Sequence, residues 1–308
     1  MKKILALVGP TAAGKTRLSL ILATRLHAEI VSADSRQIYR YLTIGTSKPS
    51  DEDRRAVPHH FIDTHDPSDL YSAGLYGREA RNAIHEIIRR GKTPIIVGGS
   101  GLYIRALVDG LFEGPGANEE IRKYLELRLK TEGIGQLIRD LEHVDPDTAG
   151  RMRVEPKARR IIRALEVYYS TGVSLSRHHT KQNRTQDLNV LQVGLEWDRQ
   201  LLYRRINERV LQMIRSGLED EARWLLERYD RRLNALNTVG YKEMFDFIQG
   251  KKDLESTVSL MKQNTRRFAK RQVTWFRSDR RIRWIALNEE RDWEEVAERV
   301  LRLLQKEG

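Results

Sequence analysis

The stretch that decides the fold is Ile4-Leu5-Ala6-Leu7-Val8-Gly9-Pro10-Thr11-Ala12-Ala13-Gly14-Lys15-Thr16. An apolar run typical of a buried strand leads directly into the pattern G-x-x-x-x-G-K-[ST], and a helical pattern follows it. In such a loop, backbone N–H groups wrap a di- or triphosphate, Lys15 supplies a point charge and the Thr16 hydroxyl holds Mg²⁺. We therefore predict that residues 9–16 bind a polyphosphate, with Mg²⁺ as cofactor. The pattern leaves open which polyphosphate binds.

The composition limits the class of protein. The chain has 308 residues, of which 40% are hydrophobic and 32% charged, as expected for a globular protein with a real core. No apolar run reaches membrane-spanning length, so we expect no membrane partner. The absence of cysteine excludes disulfides, thiolate zinc sites and cysteine nucleophiles, and it suits a reducing cytoplasm. Since nothing in the sequence demands an oligomer, we expect a monomer.

Two blocks carry the net charge of +12. Residues 151–184 have a net charge of +7 and residues 262–283 a net charge of +8, so the rest of the chain is about −3. One block would normally be a solvated helix face. Two blocks with interleaved aromatic residues favour a polyanion larger than a nucleotide, namely a nucleic acid.

Short apolar runs alternate with helical patterns along most of the chain. This alternation predicts an α/β fold with a parallel sheet covered on both faces. The expected strands are residues 4–8, 29–31, 61–62, 94–97, 190–195 and 282–287. Ligands gather at the carboxyl ends of such strands. Because Gly9, Asp34 and Gly98 each follow a run directly, we expect them to lie close together.

No strand pattern is visible between about Gly110 and Asn189. Asn118 and Asp145 are predicted helix caps, and Pro156 is placed to start the basic helix. We therefore predict two domains. Residues 1–113 and 190–308 form a P-loop NTPase-like core with C-terminal helices, and residues 114–189 form an all-helical insertion.

Two side chains next to the predicted phosphate site can do chemistry. Asp34 ends the second apolar run, where an acid can bind Mg²⁺ through water or act as a general base. Its alternative role is to cap the segment after it. Ser100 lies in a glycine-rich turn after another predicted strand, which places its hydroxyl near the same crevice.

Together these segments resemble one family, the bacterial tRNA dimethylallyltransferases, also called tRNA isopentenyltransferases. The matching stretches follow the family's order over most of the chain. They are the phosphate loop, Ser32–Tyr39 (SADSRQIY), Ile44–Pro49 (IGTSKP), His59–Asp63 (HHFID), Gly98–Tyr103 (GGSGLY), Arg160–Val167 (RIIRALEV), Gly240–Glu243 (GYKE) and Ala269–Arg277 (AKRQVTWFR).

The resemblance implies transfer of a dimethylallyl group from dimethylallyl diphosphate to the exocyclic amine of the adenosine just 3′ of the anticodon. The tRNAs would be those reading codons that begin with U, and diphosphate would leave. Residues Gly9 to Thr16 would hold the diphosphate, with Mg²⁺ on Thr16. Asp34 would be the general base and Ser100 would help position the amine or the diphosphate. Arg205 and Arg209, one helical turn apart, are candidates for a diphosphate clamp; their alternative role is a surface salt-bridge face.

The resemblance also implies that the insertion binds the tRNA anticodon stem-loop. The residues that would contact the tRNA are Asp34, Ser35, Arg36, Gln37, Ser100, Arg122, Arg159, Arg160, Ile161, Ile162 and Arg163. The target adenosine must leave its stack to reach the prenyl donor. Some positions depart from the family's pattern: Ser100 stands where threonine is usual, and the stretch before Arg160 lacks the usual Pro-Asn.

Two other functions share the phosphate loop. A P-loop kinase for nucleotides or small molecules could use residues 151–184 as an arginine-rich lid, but it would not need the second basic block. A P-loop ATPase that binds RNA without modifying it would usually have a separate strand ending in an acid pair, which the sequence does not clearly show.

Overall fold

The computed structural model describes residues 3–111, 114–116, 118–181, 188–289 and 292–306. Its strands form one parallel sheet in the order β3-β2-β4-β1-β5-β6, which confirms the predicted sheet. The strands are β1 (Ile4–Val8), β2 (Ala28–Ser32), β3 (His59–His60), β4 (Thr93–Gly98), β5 (Val190–Trp197) and β6 (Arg283–Leu287). β1, which leads into the phosphate loop, lies between β4 and β5.

One predicted strand is wrong. Phe61 and Ile62 lie outside the sheet, because β3 at its edge pairs only His59 and His60 with β2. At Phe61 the backbone turns to φ +65°, a left-handed conformation that ends a strand. The ring of Phe61 instead packs edge-on against Tyr76, with 5.3 Å between centroids.

The helices follow most of the predicted boundaries. Asn118 and Asp145 cap α5 and α7 through their side chains, as predicted. The prediction for Pro156 is wrong, because α8 begins at Ala158 and Lys157 is its N-cap. The helices are α1 (Lys15–Leu26), α2 (Asp51–Ala56), α3 (Ala73–Arg89), α4 (Gly101–Asp109), α5 (Glu119–Glu132), α6 (Ile134–Val144), α7 (Pro146–Val154), α8 (Ala158–Thr171), α9 (Leu175–Lys181), α10 (Arg199–Arg215), α11 (Leu218–Arg228), α12 (Tyr241–Ile248), α13 (Leu254–Arg277) and α14 (Trp293–Lys306).

Helices cover both faces of the sheet because neighbouring strand residues point to opposite sides. Ala6 and Val8 belong to one buried apolar cluster with residues of α3, α4, α11 and α12. Leu5 and Leu7 belong to a second cluster with residues of α1, α10 and α14. Apolar side chains therefore cover both faces of β1 and exclude water from them. This packing fixes the position of the loop after β1.

The chain divides into two compact units, and each has its own core. One unit contains residues 1–109 and 186–308, and the other contains residues 110–185. The second unit is helical in its described part, and its core includes Leu125, Leu141 and Leu165. The predicted boundary at residue 113 and the end of the first basic block, residues 182–184, lie outside the described residues.

No helix in the described part of the chain has both the length and the apolar character that crossing a membrane requires.

Candidate active site

The phosphate loop connects β1 to α1 in a tightly curled conformation. Gly9, Ala12 and Gly14 all have positive φ, at +141°, +63° and +93°. Gly14 is the N-cap of α1, and a Cβ atom there would lie 2.1 Å from the Trp293 ring of α14. Only glycine fits this position, for both conformation and space. The first N–H groups of α1 have no partner within the helix, and they begin where the loop ends.

Side chains from distant parts of the chain hold the loop from outside. Arg205 Nε donates to the Ala12 carbonyl at 2.9 Å, and Trp197 Nε1 donates to the Ala13 carbonyl at 3.0 Å. The Arg205 guanidinium also stacks on Trp197, 4.3 Å from the ring centroid. The Ala13 carbonyl and the Gly14 N–H belong to the same trans peptide and therefore point in opposite directions. The hydrogen bond from Trp197 to this carbonyl thus directs the Gly14 N–H to the other side of the loop.

Gln272 of α13 joins the phosphate loop to the glycine-rich turn after β4. Its Oε1 accepts from the Thr11 N–H at 2.9 Å, and its Nε2 donates to the Gly99 carbonyl at 2.9 Å. A Cβ atom at residue 99 would lie 2.4 Å from Gln272 Nε2, so a larger residue there would displace the amide of Gln272. The two loops are therefore kept at a fixed separation.

Lys15 folds back over its own loop. Its Nζ donates to the Gly9 carbonyl at 3.0 Å and to the Pro10 carbonyl at 2.7 Å. Burial, assisted by the charge of Arg209 and opposed by Asp34, lowers the pKa of Lys15 to about 8. Two cations are thus held together in a poorly hydrated place, where an anionic ligand would stabilise both.

Arg209 lies one turn beyond Arg205 on α10, and its Nε donates to Ser47 Oγ at 2.8 Å. Burial lowers the pKa of Arg209, while Asp34 raises it and Arg205 lowers it. Both arginines are half-buried and turned towards loops of the site. A surface salt-bridge role fits their neighbour Arg204 instead, which pairs with Glu289 at 2.8 Å in solvent.

Asp34 begins the segment after β2. Its Oδ1 accepts from the N–H groups of Arg36 at 2.8 Å and Gln37 at 3.3 Å, so the carboxylate does cap the turn that follows. Among the residues that the structure describes, no donor contacts Oδ2. One oxygen therefore serves the turn while the other is available to accept a proton. Capping and general base catalysis are compatible in this geometry.

Ser100 follows β4 and fastens the same turn. Its Oγ accepts from the Ser35 N–H at 2.9 Å and donates to Ser35 Oγ at 3.2 Å. Gly98 permits this approach, since a Cβ atom there would lie 2.1 Å from the Ala33 carbonyl oxygen. Val8 pairs with Gly98 in the sheet, so Gly9, Asp34 and Gly98 lie close together as predicted.

The remaining predicted residues of this unit reach towards neighbouring loops. Gln37 Nε2 donates to the carbonyls of Thr46 at 3.2 Å and Ser47 at 3.1 Å. Arg36 donates to the Asn234 carbonyl. Thr16, the predicted Mg²⁺ ligand, is exposed in the first turn of α1.

A buried carboxylate organises the helical unit. Glu166 is fully buried and accepts from Arg122 at 3.0 Å, from Arg163 at 3.0 Å and from the Asn118 N–H at 2.8 Å. The side chains of Arg122 and Arg163 stay partly exposed, at 41% and 36%. Neutralising a buried acid thus leaves two oriented arginines with donors facing solvent.

The predicted contact segment of α8 divides between surface and core. Arg159 and Arg160 are exposed, whereas Ile161 and Ile162 are buried in the core of the helical unit. The expected contact of this segment with tRNA stays a prediction, and the side chains of Ile161 and Ile162 pack inside the helical unit. They fill the apolar face of an amphipathic helix, and Arg159 and Arg160 face outward.

Most of the second basic block, up to Arg277, lies on α13, whose two sides differ. Lys270, Arg271 and Arg277 are exposed, as are Phe268 at 39% and Trp275 at 37%. The opposite side is buried and carries Gln272. The same helix therefore supports the phosphate loop and presents cations with aromatic rings to solvent.

Sequence reasoning missed four residues that shape the site: Trp197, Ser47, Gln272 and Trp293. Gln272 had a visible signal, since it is an uncharged polar residue on the apolar face of a basic helix. The other three had none, because their contacts join segments far apart in the chain.

Comparisons with known proteins agree with this geometry. A family model described as IPP transferase matches residues 37–279. The tRNA dimethylallyltransferase of Thermotoga petrophila is 45% identical over 304 residues, covering 98% of each chain. That of Pelotomaculum thermopropionicum is 43% identical over 301 residues, covering 97% of this chain and 95% of the relative.

Solved structures give the same result. The tRNA isopentenylpyrophosphate transferase of Bacillus halodurans matches with a TM-score of 0.72 and 38% identity, over 99% of this chain and 98% of its own. A eukaryotic dimethylallyltransferase described as acting on tRNA matches with a TM-score of 0.81 and 29% identity, over 98% and 78%. The chain therefore belongs to the IPP transferase family.

Proposed function

We propose that this enzyme transfers a dimethylallyl group from dimethylallyl diphosphate to the N6 amine of the adenosine 3′-adjacent to the anticodon, in tRNAs that read codons beginning with U. The names of its relatives support the reaction class. The observation that carries the proposal is that a carboxylate lies next to a site suited to an anion. The phosphate loop, Arg209 and Asp34 come together at the carboxyl ends of β1, β4 and β2, which are neighbours in the sheet.

The anion site suits a departing diphosphate. When the bond between the allylic carbon and oxygen breaks, its electron pair leaves with the diphosphate and negative charge grows there. Loop N–H groups, Lys15 and an arginine stabilise that charge in a poorly hydrated site. We assign the arginine to Arg209, because Arg205 already donates to the Ala12 carbonyl and stacks on Trp197. Arg205 then shapes the loop rather than holding the leaving group.

The carboxylate suits the nucleophile. As the new bond forms between the allylic carbon and N6, the amine must lose a proton, and Asp34 Oδ2 is available to receive it. Ser100 keeps this carboxylate in place by holding the Ser35 N–H. A carboxylate next to the anion site supports proton removal from an amine, and the proposed reaction requires no phosphoryl acceptor.

The residues present fit Mg²⁺ bound mainly through the substrate. The described part of the chain has no cluster of three or more histidine or acidic side chains that could enclose a metal ion. Mg²⁺ commonly keeps waters and uses one or two protein oxygens plus substrate phosphates. Thr16 offers such an oxygen in the first turn of α1, next to the loop. When bound, the ion would neutralise charge on the diphosphate.

The basic surfaces suit a tRNA partner. The Arg122–Glu166–Arg163 group and the exposed cations of α13 provide donors for phosphate oxygens, and Phe268 and Trp275 provide rings for stacking. We further propose that the target adenosine is flipped out of its stack, and that the enzyme works as a cytoplasmic monomer.

One assay tests the reaction. The protein is mixed with Mg²⁺, labelled dimethylallyl diphosphate and unmodified tRNA, and a tRNA with guanosine at the target position serves as the control. We expect label in the first tRNA and none in the second. Turnover of ATP without any label in tRNA would contradict the proposal and favour a kinase or ATPase.

A further inference from the structure

The loop of residues 43–47 controls the orientation of Arg209. Ser47 Oγ accepts from Arg209 Nε, and because a guanidinium is planar, fixing Nε sets the direction of its other two nitrogens. Ser47 has φ +48°, a conformation that is strained for a residue with a side chain. Something outside the loop must therefore hold it in this shape.

Gln37 holds the end of the loop through the Thr46 and Ser47 carbonyls, and Glu221 of α11 holds its beginning. Its carboxylate accepts from three consecutive backbone N–H groups, those of Thr43 at 3.0 Å, Ile44 at 2.9 Å and Gly45 at 3.1 Å. It also accepts from the Tyr241 hydroxyl at 2.6 Å. A single carboxylate with this many donors is a strong anchor, since charge-assisted hydrogen bonds are about twice as strong as neutral ones.

Gly45 completes the anchor. A Cβ atom at this position would lie 2.5 Å from Tyr241 Cζ, so only glycine lets the tyrosine ring lie under the loop and reach Glu221. Glu221 touches no group that the proposed chemistry uses directly. Its hydrogen bonds nevertheless lead through the loop to Ser47 and then to Arg209.

We propose that Glu221 is a positioning residue for the diphosphate: it fixes loop 43–47 so that Ser47 holds Arg209 towards the phosphate loop. This inference rests on the proposed function. Small displacements of a group that binds the reacting part of a substrate can cost about a hundredfold in rate. We therefore expect loss of the Glu221 anchor to reduce the free energy of diphosphate binding more than it reduces the free energy of unfolding.

The test is Glu221→Gln, which keeps the side-chain volume but places an NH₂ group or a weaker acceptor against the loop N–H groups. Binding of inorganic diphosphate with Mg²⁺ is measured by calorimetry on enzyme saturated with unmodified tRNA. We expect about tenfold weaker binding and a KM for dimethylallyl diphosphate raised by a similar factor. Glu219→Gln, on the same helix but paired with Arg223, is the matched control and is expected to bind like the wild type.

A double-mutant cycle separates positioning from a general structural effect. If Glu221 acts through Ser47, then Ser47→Ala should lose little further affinity in the Glu221→Gln background. Additive losses, or a Glu221→Gln variant that binds like Glu219→Gln, would overturn the inference. If Glu221→Gln does not fold, Tyr241→Phe decides instead: it removes one donor, and unchanged diphosphate affinity would refute the anchor. A wild type that labels no tRNA would contradict the proposed function itself.

Discussion

Replacing Asp34 separates its two roles, because asparagine can perform one of them and not the other. In Asp34→Asn the Oδ1 atom still accepts from the N–H groups of Arg36 and Gln37, so the turn after β2 should survive. The amide cannot take a proton from the adenosine amine. General base catalysis contributes about 10²–10⁴ in rate, or about 3–5 kcal/mol of transition-state stabilisation. We expect single-turnover transfer to fall by that factor, with tRNA binding and the midpoint of thermal unfolding unchanged.

Asp34→Ala is the companion variant. It removes the base and both hydrogen bonds of the turn, so it should lose transfer equally and also about 1–3 kcal/mol of unfolding free energy. Chemical denaturation and filter binding of labelled tRNA measure these two properties. Transfer by Asp34→Asn within tenfold of the wild type would show that the carboxylate only caps the turn, and the base would have to be sought elsewhere.

Three further predictions follow from the contacts described above. Arg209→Ala should raise the KM for dimethylallyl diphosphate about tenfold or more, with little loss of stability. Arg205→Ala should instead lower the free energy of unfolding by about 1–3 kcal/mol. Steady-state kinetics measures the first effect and chemical denaturation the second. Burial lowers the pKa of Lys15 to about 8, so the charged lysine reduces the free energy of unfolding of the ligand-free protein. This reduction is complete below pH 8 and disappears towards pH 10.5. Lys15→Met should therefore unfold at a higher temperature than the wild type at pH 7, and the difference should shrink as the pH rises; a constant difference would contradict this. Glu166→Gln should weaken tRNA binding, because Arg122 and Arg163 would lose their fixed orientation and with it their phosphate contacts. Binding titrations at about 50 and 200 mM salt should then show a tRNA affinity that depends less on salt than that of the wild type.

Much of the fold was readable because its signals are local. A run of apolar residues followed by the phosphate loop predicts a buried strand and a helix from short-range pattern alone, and side-chain caps such as Asn118 and Asp145 act within three residues. The failures have the same origin. Phe61 and Ile62 look like a strand because they are apolar, yet Phe61 packs against Tyr76 and an apolar cluster whose other members are distant in sequence.

The sequence by itself determined most strands of the sheet and the loop between β1 and α1. It also determined that Asp34 and Ser100 follow neighbouring strands, since parallel strands carry their carboxyl ends to one edge. Only the tertiary structure decided which contacts Arg205 and Arg209 make. Adjacent on one helix and chemically identical, they differ only in what surrounds them: Arg205 meets the Ala12 carbonyl and the Trp197 ring, and Arg209 meets Ser47 and lies within the field of Lys15 and Asp34. Those neighbours come from segments up to about 190 residues apart in the chain, and no local pattern contains that information.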